Sequence, residues 1–278
     1  MDCIYPGLDE FLLSVLREDV GSGDVTTVSC VSEDSVSSGS FIAKEHGVIC
    51  GLHVARRVFS LLDEAVVMTL SVSDGDSVSA GDVVAGISGR SRSILTGERT
   101  ALNLLQRMSG IATMTAEAVK AVSGTKAKIT DTRKTVPGLR VLDKYAVRCG
   151  GGANHRFNLS DGVLIKDNHI KAAGGIANAI MLAGANCPHT LKIEVEAESL
   201  AQVKEALDAG ADIIMLDNMP PEAMAEAIRI AGGRALCEAS GNMGDHDLAA
   251  IAETGVDFIS VGALTHSVRA LDISLRML

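Results

Sequence analysis

The chain has 278 residues and a formal net charge of −10; 47% of its residues are hydrophobic and only 3% aromatic. That length buries a large core in one or two domains, and with no Trp the core must be built from Val, Ile, Leu, Ala and Met. The acidic balance (pI near 5.2) and the shortage of stacking rings exclude a nucleic-acid binder, which needs a broad basic face.

The N-terminus carries Asp2, Asp9 and Glu10 and no basic-then-apolar leader, and no apolar run reaches membrane-spanning length. Six cysteines (3, 30, 50, 149, 187 and 237) are scattered singly without a CxxC pair. The expectation is a reduced, cytoplasmic protein without a disulfide framework or zinc site. Apolar positions 8, 11, 12, 15 and 16 predict a helix over 8–18. Residues 40–90 read as antiparallel β structure, with Val/Ile runs broken by Asp-Gly and Gly-Asp turns and a helix near 52–62. Asp74-Gly75-Asp76 is hairpin chemistry rather than a calcium loop, because the later ligands of such a loop are missing. A long helix is predicted from Ser93 to Val122, broken at Gly110, where a domain boundary is expected.

Beyond it, strands alternate with helices. Strand-like runs fall at 127–130, 162–165, 191–196, 212–216, 235–239 and 257–261, with helical spacing at 198–210 and 220–232. This implies a mostly parallel sheet with crossover helices, wound open or closed into a small barrel. Charged or small polar residues end every run: Asp131/Arg133/Lys134, Lys166/Asp167/Asn168, Glu194/Glu196, Asp217/Asn218, Glu238/Ser240/Gly241/Asn242 and Ser260/Gly262. In a β/α barrel that end is the active-site face.

The basic ends belong to a cationic island. Between Asp131 and Lys171, eight Lys/Arg (133, 134, 140, 144, 148, 156, 166, 171) stand against four Asp (131, 143, 161, 167), a balance of +4 that suits a small, multiply charged anion. Arg133 and Arg156 can each hold a carboxylate through two parallel N–H···O bonds. Lys134 and Lys166 supply point charges, and His155 a switchable donor. Glu196 and Asp217 suit Mg²⁺. The glycine-containing turns Ser240-Gly241-Asn242 and Val261-Gly262-Ala263 suit a phosphate, which in barrels sits in the last two loops. A substrate carrying both phosphate and carboxylate groups follows. No GxSxG, HExxH, catalytic Cys-His pair or GxxxxGK[ST] is present.

Several readings stay open from the residues alone. Glu194 either lines the site or pairs with Lys192, Asp217 is a site residue or a helix cap, and Ser240-Gly241 is a cradle or an ordinary turn. His169 touches substrate or supports its loop, and His266 serves the site or a domain or subunit contact. Arg90 and Arg92 add to the cationic entrance or lie on a surface loop, and His46, His53, His189 and His246 are surface or structural.

The segments EDVGSGDVTT (18–27), ERTALN (98–103), TRKTVPGLR (132–140), GGGANHR (150–156), LIKDNH (164–169), IEVEAES (193–199), IIMLDNM (213–219), EASGN (238–242) and SVGALTHS (260–267) together resemble the quinolinate phosphoribosyltransferase family, the carboxylating nicotinate-nucleotide pyrophosphorylases, over nearly the full length. The resemblance implies an α/β protein with an N-terminal α/β sandwich domain (1–111, joined by 267–278) and a C-terminal open α/β barrel (112–266), TIM-like with six to seven strands. It implies transfer of phosphoribose from 5-phosphoribosyl-1-pyrophosphate to quinolinate with Mg²⁺ present, giving nicotinate mononucleotide, pyrophosphate and CO₂ for NAD biosynthesis. Arg133, His155, Arg156 and Lys166 would then hold the quinolinate carboxylates and neighbouring phosphates, with Lys134 close to the reacting centre. Glu196 and Asp217 would take the ribose hydroxyls and Mg²⁺, and Ser240, Gly241, Asn242 and Gly262 the 5-phosphate. Arg99 would enter the neighbouring subunit's site in a homodimer. The rivals are the related phosphoribosyltransferase-like protein found with molybdate-transport genes, a Schiff-base aldolase or isomerase using Lys134 or Lys166, and a non-catalytic metabolite sensor.

Overall fold

The structure is a computed structural model that describes residues 6–278; Asp2 and Cys3 lie outside the described residues. The chain forms two compact units. One runs to Ala116 and takes back Val141–Gly151 and Val268–Leu278; the other holds Glu117–Arg140 and Gly152–Ser267.

The first unit is built on a four-stranded antiparallel sheet in the order Ile273–Met277, Val36–Ala43, Val83–Arg90, Val67–Leu70. The helices Leu8–Val20 and Leu52–Leu62 bury their apolar stripes, with Leu12, Leu52, Val58 and Phe59 fully or almost fully buried. Phe41 meets Phe59 edge-on at 6.1 Å, a preferred aromatic geometry. Asp74 ties this unit together. Its Oδ1 accepts the N–H groups of Gly51 and Leu52, both at 3.0 Å, at the start of the helix Leu52–Leu62. Its Oδ2 accepts the Tyr145 hydroxyl at 2.9 Å.

Two features depart from the sequence expectation. The helix Ser91–Ala121 is unbroken at Gly110. A Cβ there would lie 2.2 Å from the Arg269 carbonyl oxygen, so glycine admits the returning C-terminal segment rather than interrupting the helix. Leu271 N–H then bonds the Gln106 carbonyl at 3.0 Å, and Gln106 Nε2 the Ile273 carbonyl at 2.7 Å. The helix Arg140–Cys149, expected within the barrel domain, belongs from Val141 onward to the first unit. There the fully buried Asp143 receives Arg107 in a two-pronged pair at 3.0 and 2.9 Å, and Gly150 sits where a Cβ would be 2.4 Å from the Ala112 carbonyl.

The second unit carries six parallel strands in the order Lys128–Thr130, Phe258–Ser260, Leu236–Ser240, Ile213–Asp217, Ile193–Ala197, Val163–Ile165. The first strand in sequence pairs with the last, as barrel closure requires. The first and second do not pair, and only a single bridge, Thr130 to Ala153, lies beside the first strand there. This is an α/β barrel left open at one seam. Ile129, Val195, Ile214, Leu216, Ala239 and Ile259 form its core. Asp212 and Asp257, each just ahead of a strand, accept the Ile193 and Cys237 N–H groups at 2.8 Å and pin neighbouring strands in register.

Candidate active site

A cavity of about 700 Å³ opens at the C-terminal ends of the second unit's strands. All the residues to which the resemblance gives a role, except Arg99, line it: Arg133, Lys134, His155, Arg156, Lys166, Glu196, Asp217, Ser240, Gly241, Asn242 and Gly262; of the other strand-end residues, Asp131, Asp167, Asn168, Glu194 and Glu238 do not. Arg99 lies on the helix Ser91–Ala121 of the first unit. The cationic island divides: Lys144 and Arg148 lie on the helix taken by the first unit, Lys144 only 2% exposed, and neither lines the cavity. Arg140 braces the loop instead, its guanidinium donating to Thr135 Oγ1 and the Phe157 carbonyl. Arg90 pairs with Asp63, and Arg92 donates to the Val31 carbonyl; neither lines the cavity.

The basic wall is fixed from beneath by Asp131, which is fully buried and accepts the His155 N–H at 2.9 Å and Asn154 Nδ2 at 2.6 Å. The Nε atoms of Arg133 and Arg156 are buried in this wall without a hydrogen-bond partner. Burial, and then the charge of Arg133, depress the Arg156 pKa, partly offset by Glu194 and Asp161. Two guanidinium groups with unused donors in one cavity are a receptor for carboxylate or phosphate. Lys134 is tied to the last turn by its carbonyl, which accepts Thr265 Oγ1 at 2.9 Å from the short helix after the neighbouring strand. A Cβ on Gly262 would press within 3.2 Å of the Lys134 side chain, so glycine leaves that lysine its place.

The acidic wall is Glu196 and Asp217, on neighbouring strands. Burial raises the Glu196 pKa; Lys166, 3.8 Å away, works against this, and Asp217 adds to it. Asn218, in a left-handed conformation (φ 53°), donates Nδ2 to Asp217 Oδ2 at 2.7 Å. Asp217 is therefore no helix cap: the next helix, Pro221–Ala231, is preceded by Pro220.

Ser240-Gly241-Asn242 is more than an ordinary turn. Gly241 has φ 97°, a Cβ on it would lie 2.2 Å from Asn218 Oδ1, and Asn242 is also left-handed at φ 48°. Two successive left-handed residues bend this loop over the cavity.

Under the basic wall lies a group the sequence reading left mostly unassigned. Glu194 is not paired with Lys192 but stands 3.1 Å from His155 Nε2, and Glu238 lies 3.6 Å from the same nitrogen. Ser260 Oγ donates to Glu238 Oε1 at 2.5 Å and shares a hydrogen bond of 2.8 Å with Thr130. Burial and the neighbouring Glu194 push the Glu238 pKa up to about 7. The signal was visible as inward-facing glutamates in otherwise apolar strands, but the partners are far apart in sequence. His169 proves to be a support: its Nδ1 accepts the Lys166 N–H at 2.9 Å at the start of the helix Asp167–Ala173. His266 does line the cavity, as do Asn218, Met243 and Ser267, which sequence reasoning did not single out for the site.

An open α/β barrel with a guanidinium wall, a carboxylate pair and glycine turns at its mouth is an enzyme scaffold for a small, multiply charged anion. Two family models cover almost all of the chain: the N-terminal domain of quinolinate phosphoribosyl transferase over residues 24–109 and its C-terminal domain over residues 111–276. The chain belongs to this family. It is 47% identical to the probable nicotinate-nucleotide pyrophosphorylase [carboxylating] of Bacillus subtilis, over 96% of this chain and 92% of that one. Identity to the Mycobacterium leprae nicotinate-nucleotide pyrophosphorylase [carboxylating] is 44%, over 99% and 98%. Among solved structures, NadC from Streptococcus pyogenes superposes with a TM-score of 0.94 at 46% identity, covering 100% of this chain and 99% of that one. The nicotinate-nucleotide pyrophosphorylase of Francisella tularensis gives 0.93 at 42%, covering 99% and 98%.

Proposed function

We propose that this protein is a quinolinate phosphoribosyltransferase (decarboxylating). It joins quinolinate to 5-phosphoribosyl-1-pyrophosphate and yields nicotinate mononucleotide, pyrophosphate and CO₂ for NAD biosynthesis. The observation that carries the reading is the pair of buried, unpartnered Nε atoms of Arg133 and Arg156 in one cavity with Glu196, Asp217 and the Gly241 and Gly262 turns. Two guanidinium groups match a dicarboxylate, and the turns match a phosphate.

In this reading the pyridine nitrogen attacks C1 of the ribose as the C1–O bond to pyrophosphate breaks. The barrier is lowered by alignment of nitrogen and C1 and by cationic groups about the leaving charge. Arg133 and Arg156 hold the ring by its carboxylates, Lys134 and Lys166 neutralise phosphate oxygens, and the Ser240-Gly241-Asn242 and Gly262 turns hold the 5-phosphate. The adduct then loses its 2-carboxylate as CO₂; the electron pair left on C2 is stabilised by the adjacent cationic nitrogen and takes a proton.

Glu196 and Asp217 fit Mg²⁺: they are oxygen donors on adjacent strands whose mutual repulsion a divalent cation relieves. When bound, the ion supplies positive charge to the leaving pyrophosphate. The reading makes the enzyme a cytoplasmic homodimer in which Arg99 enters the partner's cavity. The described cysteines form no disulfide, which accords with a reducing compartment, and no described helix is long and apolar enough to cross a membrane. Incubation with quinolinate and 5-phosphoribosyl-1-pyrophosphate tests the activity: equal release of CO₂ and pyrophosphate, abolished by EDTA and restored by Mg²⁺, is the expected result. No quinolinate-dependent turnover overturns it.

A further inference from the structure

Two thiols of the first unit meet although they lie far apart in the sequence. The sulfurs of Cys50 and Cys149 and a carboxylate oxygen of Asp74 all lie within 4.8 Å of one another. Cys50 is fully buried, and Ser109 holds its main chain: the Cys50 N–H donates to Ser109 Oγ at 3.0 Å, and that hydroxyl donates to the Cys50 carbonyl at 3.2 Å. Cys149 ends the helix Arg140–Cys149 and is partly exposed. A hydrogen bond from Cys50, helped by one with Tyr145, holds the Cys149 pKa below the ordinary thiol value against burial and the charge of Asp74. A metal ion is the poorer occupant. Both Asp74 oxygens are already committed, Oδ1 to the Gly51 and Leu52 N–H groups and Oδ2 to the Tyr145 hydroxyl. That leaves two thiols where a closed zinc site takes four ligands. Neither cysteine lines the large cavity, so the pair stands apart from the proposed reaction.

We propose that Cys50 and Cys149 are a reversible redox pair whose oxidant is a hydroperoxide. Cys149, which solvent reaches, reacts first. Its thiolate attacks a peroxide oxygen, the O–O bond breaks, and the leaving oxygen takes a proton and departs as alcohol or water. Cys149 is then a sulfenic acid, oxidised by the two electrons that the peroxide has accepted. The Cys50 sulfur, already in hydrogen-bond contact, attacks the Cys149 sulfur. The S–O bond breaks, hydroxide leaves with the Cys50 proton as water, and a disulfide forms. A dithiol reductant restores both thiols by exchange. Cys50 is sealed from solvent and serves only as the resolving thiol. It stops Cys149 at the disulfide, short of the irreversible sulfinic acid. Such a pair suits a reducing compartment, where disulfides are transient.

Mass mapping of the full-length protein after hydrogen peroxide treatment and thiol blocking tests this, with the exposed Cys30 as reference. The expected product has lost two hydrogen masses, links Cys50 to Cys149, forms before Cys30 is consumed and disappears with dithiothreitol. Cys50→Ala leaves Cys149 as a sulfenic acid that dimedone traps, and then as sulfinic acid. Cys149→Ala leaves Cys50 a free thiol at the same peroxide dose. Thiols at both positions while Cys30 is oxidised overturn the inference, as does sulfinic acid at Cys149 to the same extent in the wild type as in Cys50→Ala. Zinc bound at one per chain and shielding both thiols from the blocking reagent overturns it too. Should Cys50→Ala not fold, the wild-type linkage map alone decides. The readout needs no turnover, so a failed quinolinate assay leaves it standing, and a missing linkage leaves the quinolinate reading standing.

Discussion

At Arg156, burial and the charge of Arg133 both act against the guanidinium, yet no carboxylate of the protein pairs with its Nε. An anion arriving at this guanidinium offsets both effects, which places binding energy where the substrate carboxylate of the proposed reaction docks. Arg156→Lys keeps the charge but loses the planar fork, and we expect quinolinate KM to rise about tenfold; Arg156→Ala removes the charge as well and raises it about a hundredfold. Titration of quinolinate against each variant at saturating co-substrate checks the order. Glu238 predicts a pH effect with the opposite sign to the usual carboxylate. Its folded pKa, about 7, lies above the ordinary value of 4.5 because burial and Glu194 disfavour its charge. The folded state thus holds a proton that the unfolded chain releases, and the associated stability is complete below pH 4.5 and lost as pH rises through 7. Over that window the loss is on the order of 3 kcal/mol, at about 1.4 kcal/mol per pKa unit. Glu238→Gln carries no such charge, so its urea midpoint should fall less than that of the wild type between pH 5 and pH 8. Equal falls in the two proteins would contradict the shifted Glu238.

At the scale of elements, period and punctuation made the barrel strands legible. The strand expected at 235–239 is Leu236–Ser240, and that expected at 212–216 is Ile213–Asp217. Short apolar runs closed by polar residues have few alternatives when helices alternate with them, and the cavity residues other than His155 and Arg156 to which a role was given followed from those strand ends. What the sequence could not show was contact between distant segments. Gly110 read as a helix breaker because glycine costs about 1 kcal/mol relative to alanine in a helix interior. In the structure its hydrogen side chain is what lets Arg269 approach. The same blindness hid the His155–Glu194–Glu238 contact, drawn from three separate elements, and the transfer of Val141–Gly151 to the first unit. Gly110→Ala weighs the two effects directly. The propensity gain is about 1 kcal/mol, whereas a Cβ 2.2 Å from a backbone carbonyl forces the main chain apart and costs about 3 kcal/mol. Net destabilisation of about 2 kcal/mol in urea unfolding is expected; a stabilised Gly110→Ala protein would restore the helix-breaker reading.

At the scale of the molecule, the cavity gathers Arg133, Lys134, Arg156 and Lys166 in a chain whose formal net charge is −10. Such a contrast focuses anions on the mouth and leaves the remaining surface repelling them. Arg99, to which the resemblance gives a role at the site, does not line this cavity and lies on a helix of the other unit. In the proposed two-fold homodimer, an isologous interface would deliver each chain's Arg99 to the other's cavity. Complementation separates this from a purely structural arginine. Arg99→Ala and Lys134→Ala homodimers should each be nearly inactive. After mild denaturation and joint refolding, half of the dimers are mixed, and each mixed dimer has one cavity with both defects and one with none. Activity should therefore recover to about one quarter of the wild-type value. A site served by Arg99 of its own chain allows no such recovery, since every cavity would then carry one defect. Activity that stays at the level of the separate variants after mixing, with mixed dimers verified by mass, would remove the shared site.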